Sequence, residues 1–234
     1  MLEKILDYER TLFLLLNSAQ SQFADQFMWL YTRTTAWIPL YICFVSILFY
    51  ANRTRWKEVL LIAAAIALTI TFCDQFSSTF CKPFFARFRP THHPDFMNDV
   101  ATVFNYRGRE YGFISSHAAN GFGFAMVTSL IFRNKIYSVF LMLWATITAY
   151  SRIYLGVHFI SDIIPGILIG LFFGWMVYRL FVFAHKKIFH THQPKVLYPS
   201  NGLTLIITLL IATVAIMAII SLLYACQLIP AFKI

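Results

Sequence analysis

The chain has 234 residues, of which 59% are hydrophobic and 12% charged, against roughly 45–50% and about 25% in soluble domains. A soluble fold of this length cannot cover that much apolar side chain, so the composition excludes an ordinary soluble domain and indicates an integral membrane protein. The net charge of +9 fits anionic lipid rather than nucleic acid, since there is no soluble basic domain to meet a nucleic acid.

The N-terminal residues do not read as a signal peptide. Glu3, Lys4, Asp7, Glu9 and Arg10 interrupt the apolar run and leave only Leu12 to Leu16 continuous. Leu2, Ile5, Leu6, Phe13 and Leu16 recur at helical spacing, with charges on the other side, which predicts an amphipathic helix on the membrane surface. Spanning needs about 20 mostly apolar residues. Six candidate spans meet this in chain order, at 35–52, 58–80, 115–132, 136–155, 159–183 and 202–229. The first is short and is expected to use Trp29 to Trp37 as an interfacial anchor. The predicted fold class is therefore all-α, a polytopic membrane helix bundle with about six transmembrane helices and an N-terminal interfacial helix. Cys43, Cys73, Cys81 and Cys226 form no C-x-x-C pair and are expected to be free buried thiols.

Six spans put the basic links Arg53–Lys57, Arg133–Lys135 and Lys186–Lys195 on one side of the membrane. The loop 81–114, the turn near 156–158 and both termini fall on the other side. Lys and Arg divide almost evenly between the two sides, but several on the second side belong to the motifs described next. Setting those aside makes the three links cytoplasmic.

Three segments on that second side carry ionisable residues, which are costly at membrane depth and hence functional candidates. They are Lys82-x6-Arg89-Pro90, Ser115-Ser116-His117 and Ser151-Arg152-x5-His158-x3-Asp162. His158 and Asp162 are four apart and would share a helix face, so the carboxylate can orient the imidazole as a nucleophile or base. Lys82, Arg89 and Arg152 supply three cations suited to an oxyanion such as phosphate. Phosphoryl transfer needs mainly positioning and charge stabilisation, and His117 could protonate a leaving group. Taken singly, each feature has an ordinary structural explanation; their convergence on one side does not. Asp74, Ser78 and Lys82 lie on one stripe, which makes Asp74 a candidate buried partner for a motif cation. The segment Asn105 to Gly112 is read as a substrate rim, where Arg107 and Arg109 would meet a second phosphate or a sugar. His92, His93, Asp95 and Asp99 make only a weak case for a metal site.

These segments resemble the three signature motifs of the type 2 phosphatidic acid phosphatase superfamily, K-x6-R-P, P-S-G-H and S-R-x5-H-x3-D. The first and third match in full. In the second, Ile114 stands for Pro and Ser116 for Gly, while Ser115 and His117 match. The resemblance implies that His158 attacks phosphorus to form a phosphohistidine, with Asp162 orienting it and His117 protonating the leaving oxygen. It further implies that Lys82, Arg89, Arg152, Ser115 and the amide of Ser116 hold the phosphate without metal or other cofactor. A single membrane-embedded domain over 1–234 is then expected, with an interfacial helix over 1–30, a catalytic bundle over 35–183 and an additional transmembrane helix at 202–229. The resemblance places such an enzyme in the bacterial cytoplasmic membrane, facing outward, with a phosphorylated membrane lipid as substrate. Undecaprenyl diphosphate and the phosphates of lipid A suit the large rim best; phosphatidylglycerol phosphate and phosphatidic acid are alternatives. The rival classes are a non-catalytic lipid-binding or transport protein on the same scaffold and a vanadium haloperoxidase, against which the apolar composition argues.

Overall fold

The computed structural model describes residues 2–190 and 200–232. Among these the chain is helical, without strands beyond one isolated antiparallel bridge between Phe88 and Tyr111. The helices are α1 (Leu2–Asn17), α2 (Gln22–Thr32), α3 (Ile38–Ala51), α4 (Trp56–Asp74), α5 (Lys82–Phe85), α6 (Ser116–Phe132), α7 (Lys135–Tyr154), α8 (Ile160–Phe189) and α9 (Ser200–Ala225). Local chemistry sets several starts. Ser21 Oγ accepts from the Ala24 amide at α2, and Asn134 Oδ1 from the Tyr137 amide at α7, each satisfying an otherwise orphaned donor. Between α4 and α5 the rod continues through a π-helical turn, Gln75–Cys81.

Four helical rods are long and apolar enough to cross a membrane: Arg53–Phe85, Lys135–Tyr154, Ile160–Phe189 and Gly202–Ala225. A fifth is reached if α2 and the segment Thr34–Tyr50, which meet at 72°, count as one broken span. The expected count of six is not reached by this measure. The shortfall is α6, whose 17 residues extend only about 26 Å. It is also the most enclosed helix, with ten of its 17 residues buried, so its length is set by protein neighbours rather than by lipid. The basic link expected over Lys186–Lys195 is helical to Phe189, and Lys195 lies outside the described residues. Cys73 and Cys81 are buried as expected, but Cys226 is exposed.

The N-terminal segment is not one helix over 1–30. It breaks at residues 18–21 into α1 and α2. One face of α1 docks on the protein. Phe13 is fully buried against Phe96 and Phe159, and Asn17 Nδ2 donates to the carbonyls of Ala101, Ile153 and Tyr154. Its inward face runs Glu9, Phe13, Asn17, while Leu6, Tyr8, Leu12 and Leu15 are exposed.

The tightest helix pair is α6 with α8. Gly166, Gly170 and Gly174 form a stripe on α8 against Ala118, Ala119, Gly123 and Met126. A Cβ at Gly170 would stand 2.4 Å from the Ala119 carbonyl oxygen, and one at Gly174 2.8 Å from that of Gly123. Such small-residue spacing lets backbones approach where water provides no driving force. On the opposite flank α9 packs on α2 and α3.

Overpacking of a tight contact costs typically about 1–3 kcal/mol, and at Gly170 the obstacle is backbone, which cannot move aside. We expect Gly170→Val to lower stability by at least about 3 kcal/mol. Thermal unfolding in detergent followed by tryptophan fluorescence measures it, with Leu168→Val on the lipid-facing side (61% exposed) as the near-neutral control.

Candidate active site

Helix α5 stops at Ala86, whose φ of 44° is left-handed. The chain then runs extended and pairs with the segment returning to α6: Arg89 N donates to Glu110 O at 3.0 Å and Gly112 N to Arg87 O at 2.9 Å. Alternation along an extended chain sends Arg87 and Arg89 to one face and Phe88 to the other, where it meets Tyr111. Gly112 has to be small, because a Cβ there would lie 3.1 Å from both Arg89 Cγ and Asp162 Oδ2.

His158 and Asp162 do not share a helix face as their spacing suggested. His158 precedes α8, in the turn after Gly156, whose φ is +75°. Asp162 stands in the first turn of α8, and its Oδ2 accepts from the Phe159 amide at 3.0 Å while facing His158 Nδ1 at 3.4 Å. The pairing is thus built on a helix N-terminus. On its other side, His158 Nε2 lies 2.9 Å from Arg89 Nη1. A guanidinium only donates and a carboxylate only accepts, so Nε2 carries the lone pair and Nδ1 the proton. His158 is 2% exposed. Burial, then Arg89, Arg152 and Lys82, hold its imidazole well below the ordinary histidine value.

The other expected residues converge on the same place. Lys82 Nζ donates to Ser116 Oγ at 2.5 Å and to Ser78 Oγ at 3.2 Å. Ser77, in the π-helical turn, also donates to Ser116 Oγ at 2.9 Å. Asp74 reaches Lys82 only through Ser78, whose hydroxyl donates to Asp74 Oδ1 at 3.3 Å; it is not a direct ion partner. Arg152, at the end of α7, donates to Thr32 Oγ1 at 2.6 Å and to the Tyr106 hydroxyl at 3.4 Å. The buried Nε–H groups of both Arg89 and Arg152 have no acceptor among the described residues. Buried donors without partners are costly, and two on neighbouring cations are what an incoming anion would satisfy.

Ser115 is fully buried and caps α6, its Oγ accepting from the Ala118 amide, while its own amide donates to Asp162 O at 3.0 Å. His117, half-buried, lines two cavities at once. One, of about 610 Å³, passes Ser116, Asn120 and Asp74 and then runs among Trp37, Phe44, Leu48, Ile66, Ile70 and Phe124. The other, about 260 Å³, is bordered by Trp29, Thr32, Arg33, Tyr106 and Arg152. Arg107 and Arg109 are exposed on the rim; Arg107 turns toward the Thr91 carbonyl, and Arg109 contributes to the field on Arg89. His92 and His93 bond locally, to Thr91 and to the Asp95 amide. Sequence reasoning missed Thr32, which comes from a segment without a motif, and Arg87, whose i−2 relation to Arg89 was the available signal; Tyr106 lies in the segment read as the rim, where only Arg107 and Arg109 were singled out.

The buried His158 thus stands among three cations, and His117 joins them to the apolar cavity of a helix bundle with membrane-spanning rods. The PAP2 superfamily model matches residues 58–186. A lipid A 4′-phosphatase of Porphyromonas gingivalis is 49% identical over 186 residues, covering 80% of this chain and 78% of that one. A lipid A 4′-phosphatase of Bacteroides thetaiotaomicron is 39% identical over 187 residues, covering 80% and 81%. Among solved structures, the crystal structure of Aquifex aeolicus LpxE is similar with a TM-score of 0.52 at 26% identity, over 72% of this chain and 93% of that one. A transmembrane PAP2-type phosphatidylglycerolphosphate phosphatase from Bacillus subtilis shares the fold, with a TM-score of 0.58 at 17% identity over 79% and 88%. The chain belongs to the PAP2 superfamily, and it is a membrane phosphatase.

Where the family motif has glycine, Ser116 supplies a hydroxyl that holds Lys82. Ser116→Gly removes that acceptor, a loss of about 1 kcal/mol or roughly fivefold. We therefore expect kcat/KM to fall about fivefold rather than rise, as measured by phosphate release with purified protein in detergent.

Proposed function

We propose that this phosphatase removes a phosphate monoester from lipid A through a phosphohistidine on His158, in the bacterial cytoplasmic membrane with the site facing the periplasm or cell exterior. The observation that carries the reading is the junction at His117 of a cationic pocket with the 610 Å³ apolar cavity between α3, α4, α6 and α7. A water-soluble phosphate ester has no use for such a cavity; an acyl chain fills it. Of the two substrates favoured by the sequence, the names of the relatives support lipid A over undecaprenyl diphosphate. The outward orientation is supported by Arg53, Arg55, Arg133, Lys135, Lys186 and Lys187 at the opposite end of the bundle. A single domain, with α9 an addition to the motif-bearing bundle, remains the reading of its organisation.

The roles follow from the geometry. Arg89, Arg152 and Lys82 bind the phosphoryl oxygens, and the amides at the start of α6 add donors. Binding draws the Arg89 guanidinium toward the phosphate and frees the Nε2 lone pair, which attacks phosphorus in line. The P–O bond to the sugar breaks, the P–N bond forms, and His117 gives a proton to the leaving oxygen. Water then attacks the phosphohistidine, His117 takes its proton, and inorganic phosphate leaves as the P–N bond breaks. Asp162 holds the Nδ1 proton throughout, as in other carboxylate–histidine pairs.

We expect His158→Ala to lose activity by at least about 10³-fold while remaining folded. Mass spectrometry of lipid A after incubation reads the result as loss or retention of one phosphate. If wild-type protein dephosphorylates phosphatidylglycerol phosphate or undecaprenyl diphosphate but not lipid A, the substrate is wrong; if His158→Ala is active, the nucleophile is wrong.

A depressed pKa leaves more of the imidazole neutral at every pH. Protonation of His158 should therefore begin to reduce kcat/KM only below the ordinary histidine value of 6.5. The pH profile of kcat/KM checks this, and an acid-side midpoint at 7 or higher that vanishes on mutating other groups would leave His158 unassigned.

A further inference from the structure

Glu9 lies on the inner face of α1, outside the residues matched by the family model, and it reaches the back of the site. Its Oε2 takes Arg87 Nη2 at 2.9 Å, and its Oε1 accepts from the Ser161 amide at 2.9 Å and from the Ser161 hydroxyl. Arg87 Nη1 donates to Asp162 Oδ1 at 2.9 Å and also contacts Ser161 Oγ. The Arg87 guanidinium sits 4.8 Å over the Phe159 ring. One cation therefore bridges two carboxylates through separate nitrogens, with an aromatic face beneath it to fix its plane.

This square has two physical consequences. Asp162 is fully buried, and its Oδ2 is occupied by the Phe159 amide and His158 Nδ1. Arg87 supplies the bond to Oδ1, so it sets the rotation of the carboxylate and thereby the direction in which Oδ2 faces the imidazole. Secondly, the cap residue of α8 is Phe159, whose side chain cannot accept a hydrogen bond. The first-turn amide of Ser161 is satisfied instead by Glu9 from another helix. Because α1 is itself locked by Phe13 and Asn17, Glu9 fixes the start of α8 to the rest of the site end.

We infer that Glu9 and Arg87, with Ser161, form a positioning relay through which the N-terminal helix holds Asp162, and so keeps His158 in the tautomer and orientation for attack. The relay rests on the reading of His158 as the nucleophile. Neither Glu9 nor Arg87 touches the phosphate; both act through Asp162.

The test uses full-length protein in detergent with lipid A micelles, and the variants Glu9→Gln, Arg87→Lys and Arg87→Ala, with Tyr8→Ala on the exposed face of α1 as control. The relay calls for kcat losses on the order of 10- to 100-fold, the range known for residues that orient metal-bound histidines from behind and taken here by analogy. KM should stay within about twofold, since phosphate contacts are untouched. Arg87→Lys should recover part of the loss of Arg87→Ala, and Tyr8→Ala should match wild type. A second readout needs no turnover: nitrogen-15 NMR of histidine-labelled protein, with the His158 signals identified by their absence in His158→Ala. Wild type should show protonated Nδ1 and bare Nε2, and Glu9→Gln should show a mixed or shifted tautomer. Wild-type kcat and an unchanged tautomer in Glu9→Gln would overturn the relay, as would a raised KM with the tautomer unchanged. If Arg87→Ala does not accumulate, Glu9→Gln decides alone, since it keeps side-chain shape. A wild-type protein that hydrolyses no lipid would defeat the phosphatase reading, while the tautomer comparison would still decide the relay.

Discussion

Helices α6 and α8 touch backbone to backbone along Gly166, Gly170 and Gly174, where a Cβ at Gly170 would come within 2.4 Å of a carbonyl oxygen. The groups of the site depend on that approach because they sit at the ends of the same two helices. His117 is the second residue of α6, Asp162 is in the first turn of α8, and the Ser115 amide bonds the Asp162 carbonyl directly. In a lipid environment there is no hydrophobic force to press helices together, so close packing and small residues must supply the attraction. The same contact that stabilises the bundle therefore sets the distance between the two histidines.

Charge is distributed around this contact with a purpose that burial makes visible. Asp162 is the buried carboxylate of the site, and it is paired on its far side with Arg87. Arg89, Arg152 and Lys82 are therefore held mainly by neutral acceptors: the Val157 carbonyl, Thr32, Tyr106, Ser78 and Ser116. Neutral acceptors satisfy hydrogen bonds without cancelling charge. The pocket thus keeps a strongly positive field in low-dielectric surroundings, where a phosphate dianion is attracted most. Burial and then the same field lower the pKa of His158, which favours the unprotonated state a nucleophile requires.

The apolar half of the site is made by a different set of helices. The 72° bend between α2 and the segment Thr34–Tyr50 brings Thr32 to Arg152 and lays Trp37 and Phe44 along the cavity. Helix α9 supports that bend from behind through its packing on α2 and α3. The chain after it returns to α2, where the Gln26 side-chain amide exchanges two hydrogen bonds with the Phe232 backbone, at 3.4 and 3.2 Å. Helix α9 contributes no residue to the large cavity, so it shapes the substrate side of the protein through its packing on α2, α3 and α7.

Some of this is determined by sequence alone. Long apolar runs must be helices in a membrane, because every backbone polar group has to be satisfied within its own segment. Lys82, Arg89, His117, Arg152, His158 and Asp162 are legible because ionisable residues are so costly in that setting that their spacing stands out. Tertiary structure decided what spacing could not. His158 and Asp162 look like helix-face neighbours, yet they meet across a helix N-terminus, because the chain turns at Gly156 before α8 begins. Ser116 reads as a departure from a motif, but the π-helical turn brings Ser77 and Ser78 beside it and makes it the anchor of Lys82. Glu9 reads as one charge on the wet face of an amphipathic helix, and docking of α1 turns that face inward. For Ser116 and Glu9 the deciding contact joins residues far apart in the chain, and local periodicity holds no information about which helix face a distant segment will cover.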